Sequence, residues 1–158
     1  MKLSGTSNLK APRDKVWAAL NDPDILRLCI PGCTQIVLAP DDATSISYDV
    51  LMEAGIGAIK GSYTGKIRIY DAVPGTQCRM TLTGNGNTGF VKAEGLVHLR
   101  DVGDETALDY SGQAQVGGLI ASVGQRVIES AAKLIVGQFF KSFEAAVENF
   151  KAVPPLHP

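Results

Sequence analysis

The chain has 158 residues, 15 basic against 16 acidic side chains, a formal net charge of −1 and 45% hydrophobic residues. This is the length of one domain with enough apolar content to form a core, and a balanced charge with no basic stripe argues against a nucleic-acid binder. Its apolar runs stop after a few residues, far short of the ~18 that span a bilayer, and it has no long run of like charge.

Residues 2–10 alternate loosely and predict a short strand. In APRDKVWAALNDPDIL, Pro12 suits the first turn of a helix carrying Val16, Trp17 and Leu20 inward. Asn21, Asp22 and Pro23 stop it. Asp22 caps a second short helix with Pro23 at its first position, and Pro31-Gly32 ends that piece. Six strands then follow, over 34–39, 44–53, 61–72, 77–83, 90–100 and 106–116, each with a period of two. One face carries Ile46, Tyr48, Val50 and Met52, then Tyr63, Gly65, Ile67 and Ile69, then Cys78, Met80 and Leu82. It continues with Val91, Ala93, Val97 and Leu99, and ends with Leu108, Tyr110, Ala114 and Val116. The alternate positions are polar, so the sheet has one wet face and one buried face. Short turns at Pro40-Asp41-Asp42, Pro74-Gly75 and Val102-Gly103-Asp104 predict an antiparallel meander.

A single long helix is predicted over 118–151. Arg126, Glu129, Lys133, Lys141, Glu144, Glu148 and Lys151 form its polar stripe, and Ile120, Val123, Val127, Ala131, Leu134, Phe139, Phe143, Val147 and Phe150 form its apolar face. The sum is an α+β helix-grip fold: a seven-stranded antiparallel curved sheet around a long C-terminal helix, with two short helices after strand 1. Residues 1–152 form the domain and 153–158, VPPLHP, a flexible tail. A concave apolar space between sheet and helix is a natural ligand site.

Motifs for other chemistry lack their context. Gly84-Asn85-Gly86-Asn87-Thr88-Gly89 matches G-x-G-x-x-G, but a strand follows where a dinucleotide site needs a helix, so it reads as a glycine-rich hairpin end. Cys29, Cys33 and Cys78 are an odd number, and no further ligands complete a zinc site. With no apolar leader at the N-terminus, they predict a reducing, cytoplasmic setting. His98 lies on a polar strand face and His157 in the tail; neither has the partners of a general base. No catalytic residue, metal or cofactor is expected.

The inward Tyr48, Met52, Tyr63, Met80 and Tyr110 are bulky amphipathic or adaptable side chains among small ones. They are either ordinary core or the lining of a ligand site, and buried tyrosine hydroxyls need partners that a ligand could supply. Ile56 and Ile59 on a glycine-flexible loop, with Gly117-Gly118-Leu119-Ile120, form an apolar mouth or fold back on the core.

Four stretches carry a likeness: VWAALNDPDIL with CIPGC at 16–33, KGSYTGKIRIYD at 60–71, GNGNTGFVKAEGLVHL at 84–99, and TALDYSGQAQVGGLIASVGQRVIESAAKLIVGQFF at 106–140. Through them the chain resembles the family of the carbon monoxide dehydrogenase G subunit, in the helix-grip (START/Bet v 1-like) group that includes lipid-transfer and pollen-allergen domains. The resemblance implies an accessory protein of a molybdenum-containing dehydrogenase rather than a catalyst, in a dehydrogenase complex or in peripheral contact with the inner membrane face. It implies an apolar ligand, a quinone or lipid.

The expected lining is Tyr48, Met52, Tyr63, Ile67, Met80 and Tyr110 from the sheet with Leu119, Val123 and Val127 from the helix. Tyr63 and Tyr110 are expected to hydrogen-bond a ligand carbonyl, and Ile56, Ile59, Phe90 and Ile120 to form the entrance. An assembly protein with a filled core is the alternative, and an enzyme on an apolar substrate the third reading.

Overall fold

The structure, a computed structural model, describes residues 1–56 and 59–150, apart from the side chains of 54–56 and 59. The predicted tail, 153–158, lies outside the described residues. Seven strands form one antiparallel sheet: β1 Lys2–Leu9, β2 Cys33–Ala39, β3 Ile46–Ile56, β4 Ile59–Val73, β5 Gln77–Gly86, β6 Gly89–Val102 and β7 Glu105–Gly117. Their spatial order is β1-β7-β6-β5-β4-β3-β2, so the meander runs from β2 to β7 and the first strand closes the far edge. Two short helices, α1 Arg13–Leu20 and α2 Pro23–Cys29, link β1 to β2, and a long helix, α3 Gln125–Asn149, ends the fold. This is the helix-grip arrangement expected from the sequence.

Local chemistry sets the boundaries. The Asp22 carboxylate accepts from the amides of Asp24 (2.8 Å) and Ile25 (3.2 Å), capping α2 with Pro23 in its first turn. Residues 44–45 stay out of β3 because Asp42 takes both the amide and the hydroxyl of Thr44, at 2.9 and 2.8 Å. The glycine-rich run 84–89 closes the β5–β6 hairpin, where Gly86 faces Gly89, and no helix follows it.

The final helix departs from expectation. Residues 119–123 form a separate 3₁₀ turn, and α3 begins only at Gln125. Gly118 and Gly124 on either side have φ of 83° and 99°, a left-handed geometry that interrupts an α-helix and that glycine adopts at little cost.

Register sorts the inward residues into rows across the sheet. One row runs Ala114, Ala93, Leu82, Ile67, Tyr48, and another runs Leu3, Gly112, Gly95, Met80, Ile69. The densest core lies at the end closed by α1 and α2, where Val16, Ala19, Leu26 and Cys29 meet Leu9, Leu99, Leu108, Phe143 and Val147. Each of the Val, Leu and Phe side chains removed from water here contributes about 1.5–3 kcal/mol. The close backbone approaches of α3 are to α1, α2, β1 and the 3₁₀ turn. Val123, Val127 and Leu134, assigned from periodicity to the buried face, are 40%, 44% and 49% exposed. On the same stretch Ile128 and Ala131 are buried, so the buried side of the helix is turned away from these three.

On the outer face Asp109 accepts hydrogen bonds from Arg100 and from Thr6, the latter at 2.7 Å. These partners, Arg100 first, hold its carboxyl down to about 2, below the roughly 3.9 of an unfolded aspartate. The ionised form is therefore favoured by folding. Its contribution is complete above about pH 4 and is lost as pH falls toward 2. Asp109→Asn should flatten the acid limb of stability in that window, measured by urea unfolding at stepped pH; an unchanged limb would assign acid sensitivity to other carboxylates.

Candidate ligand-binding site

Burial is graded along the concave face. Tyr48, Val50, Ile67, Ile69, Cys78 and Val97, from the sheet's concave face, are 2–7% exposed. Further along the strands Met80, Leu82, Ala93, Gly95, Gly112, Ala114 and Val116 point the same way but are only half-buried. Ala132, Ile135, Val136, Phe139 and Phe140 of α3 are half-buried as well. This stretch of the apolar face is less completely covered than the end closed by α1 and α2.

The three inward tyrosines have different surroundings. The Tyr48 hydroxyl points to the end of α1, at 3.5 Å from the Asn21 carbonyl, and burial pushes its pKa up. Tyr63 shares a hydrogen bond of 2.6 Å with Thr88, and its ring covers Gly86, where a Cβ would stand 2.9 Å from it. It therefore fastens β4 to the tip of the β5–β6 hairpin. Tyr110 stacks on Phe140 of α3 at 4.7 Å, and its hydroxyl lies over Gly5, 2.5 Å from where a Cβ would be. That hydroxyl has no hydrogen-bond partner among the described residues. Tyr63→Phe should remove only the Thr88 bond and cost about 1 kcal/mol, read as a lower urea midpoint with an unchanged slope. A neutral result would mean that water replaces the bond.

The other expected residues divide. Met52, Ile67 and Met80 lie on the concave face with Tyr48 and Tyr63. Leu119 stands 70% exposed on the 3₁₀ turn, and Val123 and Val127 are partly exposed, so none of the three is a buried lining residue. Ile120 is 3% exposed; its amide donates to the Thr88 carbonyl at 2.7 Å, so it anchors the turn to the β5–β6 hairpin. Phe90 sits on the opposite face of β6 from Val91, with its ring across Gly117 and Lys92 5.7 Å above it. Ile56 and Ile59 pair across the β3–β4 hairpin, and their side chains lie outside the described residues. Phe140 was not among the expected residues. Its signal was the spacing Val136, Phe140, Phe143, Val147, which places one side of the helix toward the core.

The concave face is poor in ionisable groups. Its thiol, Cys78, is pushed up to about 11 by burial and stays protonated at neutral pH. His98 shares the outer face with Asp109, its partner in register. Among the described residues no cluster of three metal-ligating side chains occurs, and no helix is long and apolar enough to cross a membrane. Walls of this kind favour an apolar body with few polar atoms over a charged one.

Comparison with known proteins agrees with this geometry. The crystal structure of a conserved protein from Geobacillus kaustophilus is 35% identical, with a TM-score of 0.88 over 94% of this chain and 96% of that one. A START superfamily protein from Mycobacterium smegmatis is 15% identical, with a TM-score of 0.75 over 95% and 99% of the two chains. Ara h 8.0201 is 14% identical, with a TM-score of 0.70 over 95% and 99%. The last two share the fold alone. A search of curated proteins returns no match. The sequence profile of the carbon monoxide dehydrogenase G subunit (CoxG) matches residues 5–148, and the chain therefore belongs to the CoxG family, with a START/Bet v 1-like helix-grip fold.

Proposed function

We propose that the chain is an accessory binding protein, without catalytic residues of its own, that holds one quinone or lipid between the sheet and α3. It serves a carbon monoxide dehydrogenase or related molybdenum hydroxylase by membrane recruitment or electron delivery. The observation that carries the reading is the half-buried concave face at Met80, Leu82, Ala93 and Ala114, together with the half-buried Phe139 and Phe140 of α3, the latter stacked on Tyr110. Family membership supports the dehydrogenase as partner. In this reading Met80, Leu82, Ala93 and Ala114 hold the ring or chain, and the Tyr110 hydroxyl donates to a ligand carbonyl. Tyr48, Met52, Tyr63 and Ile67 form the wall behind, and the Tyr63 hydroxyl stays with Thr88. Leu119, Val123 and Val127 belong to the rim.

Native mass spectrometry, followed by solvent extraction, tests this. The expected result is a quinone or lipid at about one per chain, or uptake of one when added. A protein that is empty and takes up neither would transfer the function to assembly with the dehydrogenase alone.

A further inference from the structure

A groove distinct from the concave face opens where the end of α2 and the α2–β2 connection meet the middle of α3. It encloses about 440 Å³. Its loop side, Ile30-Pro31-Gly32, is fixed by the Cys33 amide on the Ile30 carbonyl (3.1 Å) and the Glu53 amide on the Gly32 carbonyl (2.8 Å). Its helix side is Gln138, Lys141 and Ser142, spaced to share one face of α3. Arg27 closes the other wall. The charged side chains lining the groove are thus both cations, Arg27 and Lys141, beside an amide and a hydroxyl.

None of these four side chains has an ion-pair or hydrogen-bond partner among the described residues. Arg13, Arg68, Arg79 and Arg100 each face an aspartate instead. The C-terminus of α2 borders the groove, but a helix terminus carries roughly half a negative charge, and two full cations outweigh it. Leu28, Ile30 and Pro31 give the remaining wall an apolar character.

We propose that this groove binds a phosphate monoester. Such a group carries about −1.5 to −2 charges at neutral pH and three acceptor oxygens. It matches two cations and two neutral donors better than a carboxylate does, with the guanidinium supplying a fork and the ammonium a point charge. The volume exceeds one phosphate, and the apolar wall takes the carbon skeleton that the phosphate esterifies.

The test titrates the full chain with glycerol 3-phosphate, and separately with phosphatidylcholine vesicles with and without phosphatidic acid. Amide shifts at 27–33 and 138–142 and co-flotation are the readouts. Saturable binding is expected that weakens with salt and drops about tenfold or more in Arg27→Gln/Lys141→Gln. Arg126→Gln/Lys133→Gln removes the same charge elsewhere on α3 and should bind as the parent does. Binding of the soluble ester, or of phosphatidic acid vesicles alone, supports the site and identifies its source as a free metabolite or a lipid headgroup. Equal losses in both double variants, with circular dichroism unchanged, would replace the site with diffuse charge attraction. Absence of saturable binding to either probe would overturn the proposal.

Discussion

Phe143→Ala lowers the stability of the fold by about 3–5 kcal/mol, the largest effect expected of any single truncation here. Phe143 is 0% exposed, and its ring stacks on Phe139 at 5.7 Å. It belongs to the cluster that joins α3 to α1, α2 and β1. Truncation removes a ring and leaves a hole that the packed cluster around it fills only in part. A domain of this size is stable by only about 5–15 kcal/mol, so the loss is a large share of the total. The companion is Leu134→Ala on the same helix. Leu134 is 49% exposed, and its truncation should change stability by no more than about 0.5 kcal/mol. Urea midpoints for the two variants measure the contrast. Similar losses from both would mean that the exposed side of α3 holds the fold as much as its buried side does.

That asymmetry explains which parts of the molecule were readable from its sequence. The strands were, because alternation of apolar and polar residues reports directly which side of a sheet is wet. The two short helices were, because Pro12, Asp22 and Pro23 act on their immediate neighbours. The final segment was harder. Apolar spacing from Ile120 through Val127 to Phe150 suggests one helix with one buried face, yet it cannot fix which of two adjacent apolar strips, Val127 with Leu134 or Ile128 with Ala131, is the buried one. Leu119, Val123, Val127 and Leu134 are apolar but exposed, because the buried side of this stretch runs through Ile120, Ile128 and Ala131 instead. The break at Gly124 did have a signal: glycine at 117, 118 and 124 brackets LIASV, and two of those residues take positive φ.

The tyrosines show a second limit. Their inward direction follows from strand parity, but their hydroxyl partners follow from register. Tyr63 reaches Thr88 only because β4 and β5 align it with Gly86 at the hairpin end. Tyr110 tilts over Gly5 because β1, the first strand in the chain, pairs with β7, the last. Long-range register of this kind is not encoded in any short window. The Arg27–Lys141 groove is a similar case, since it depends on a helix end meeting the middle of a distant helix.

Ala93→Phe should abolish or strongly weaken uptake of the apolar ligand while leaving the fold intact. Ala93 sits in the centre of the half-buried row, between Leu82 of β5 and Ala114 of β7. If the space above it is open, a phenyl ring occupies it at little strain and buries more apolar surface. Stability then stays within about 1 kcal/mol of the parent or rises, and affinity for a quinone or lipid falls about tenfold or more as the ring takes the ligand's volume. If the space is filled by neighbouring side chains, the same substitution overpacks a core and costs about 1–3 kcal/mol. The two measurements, a urea midpoint and a ligand titration, therefore separate a carrier from a filled assembly module in one variant. Unchanged stability with lost uptake places the ligand between β6 and α3. Lost stability with unchanged uptake would move the ligand elsewhere and make the concave face a core.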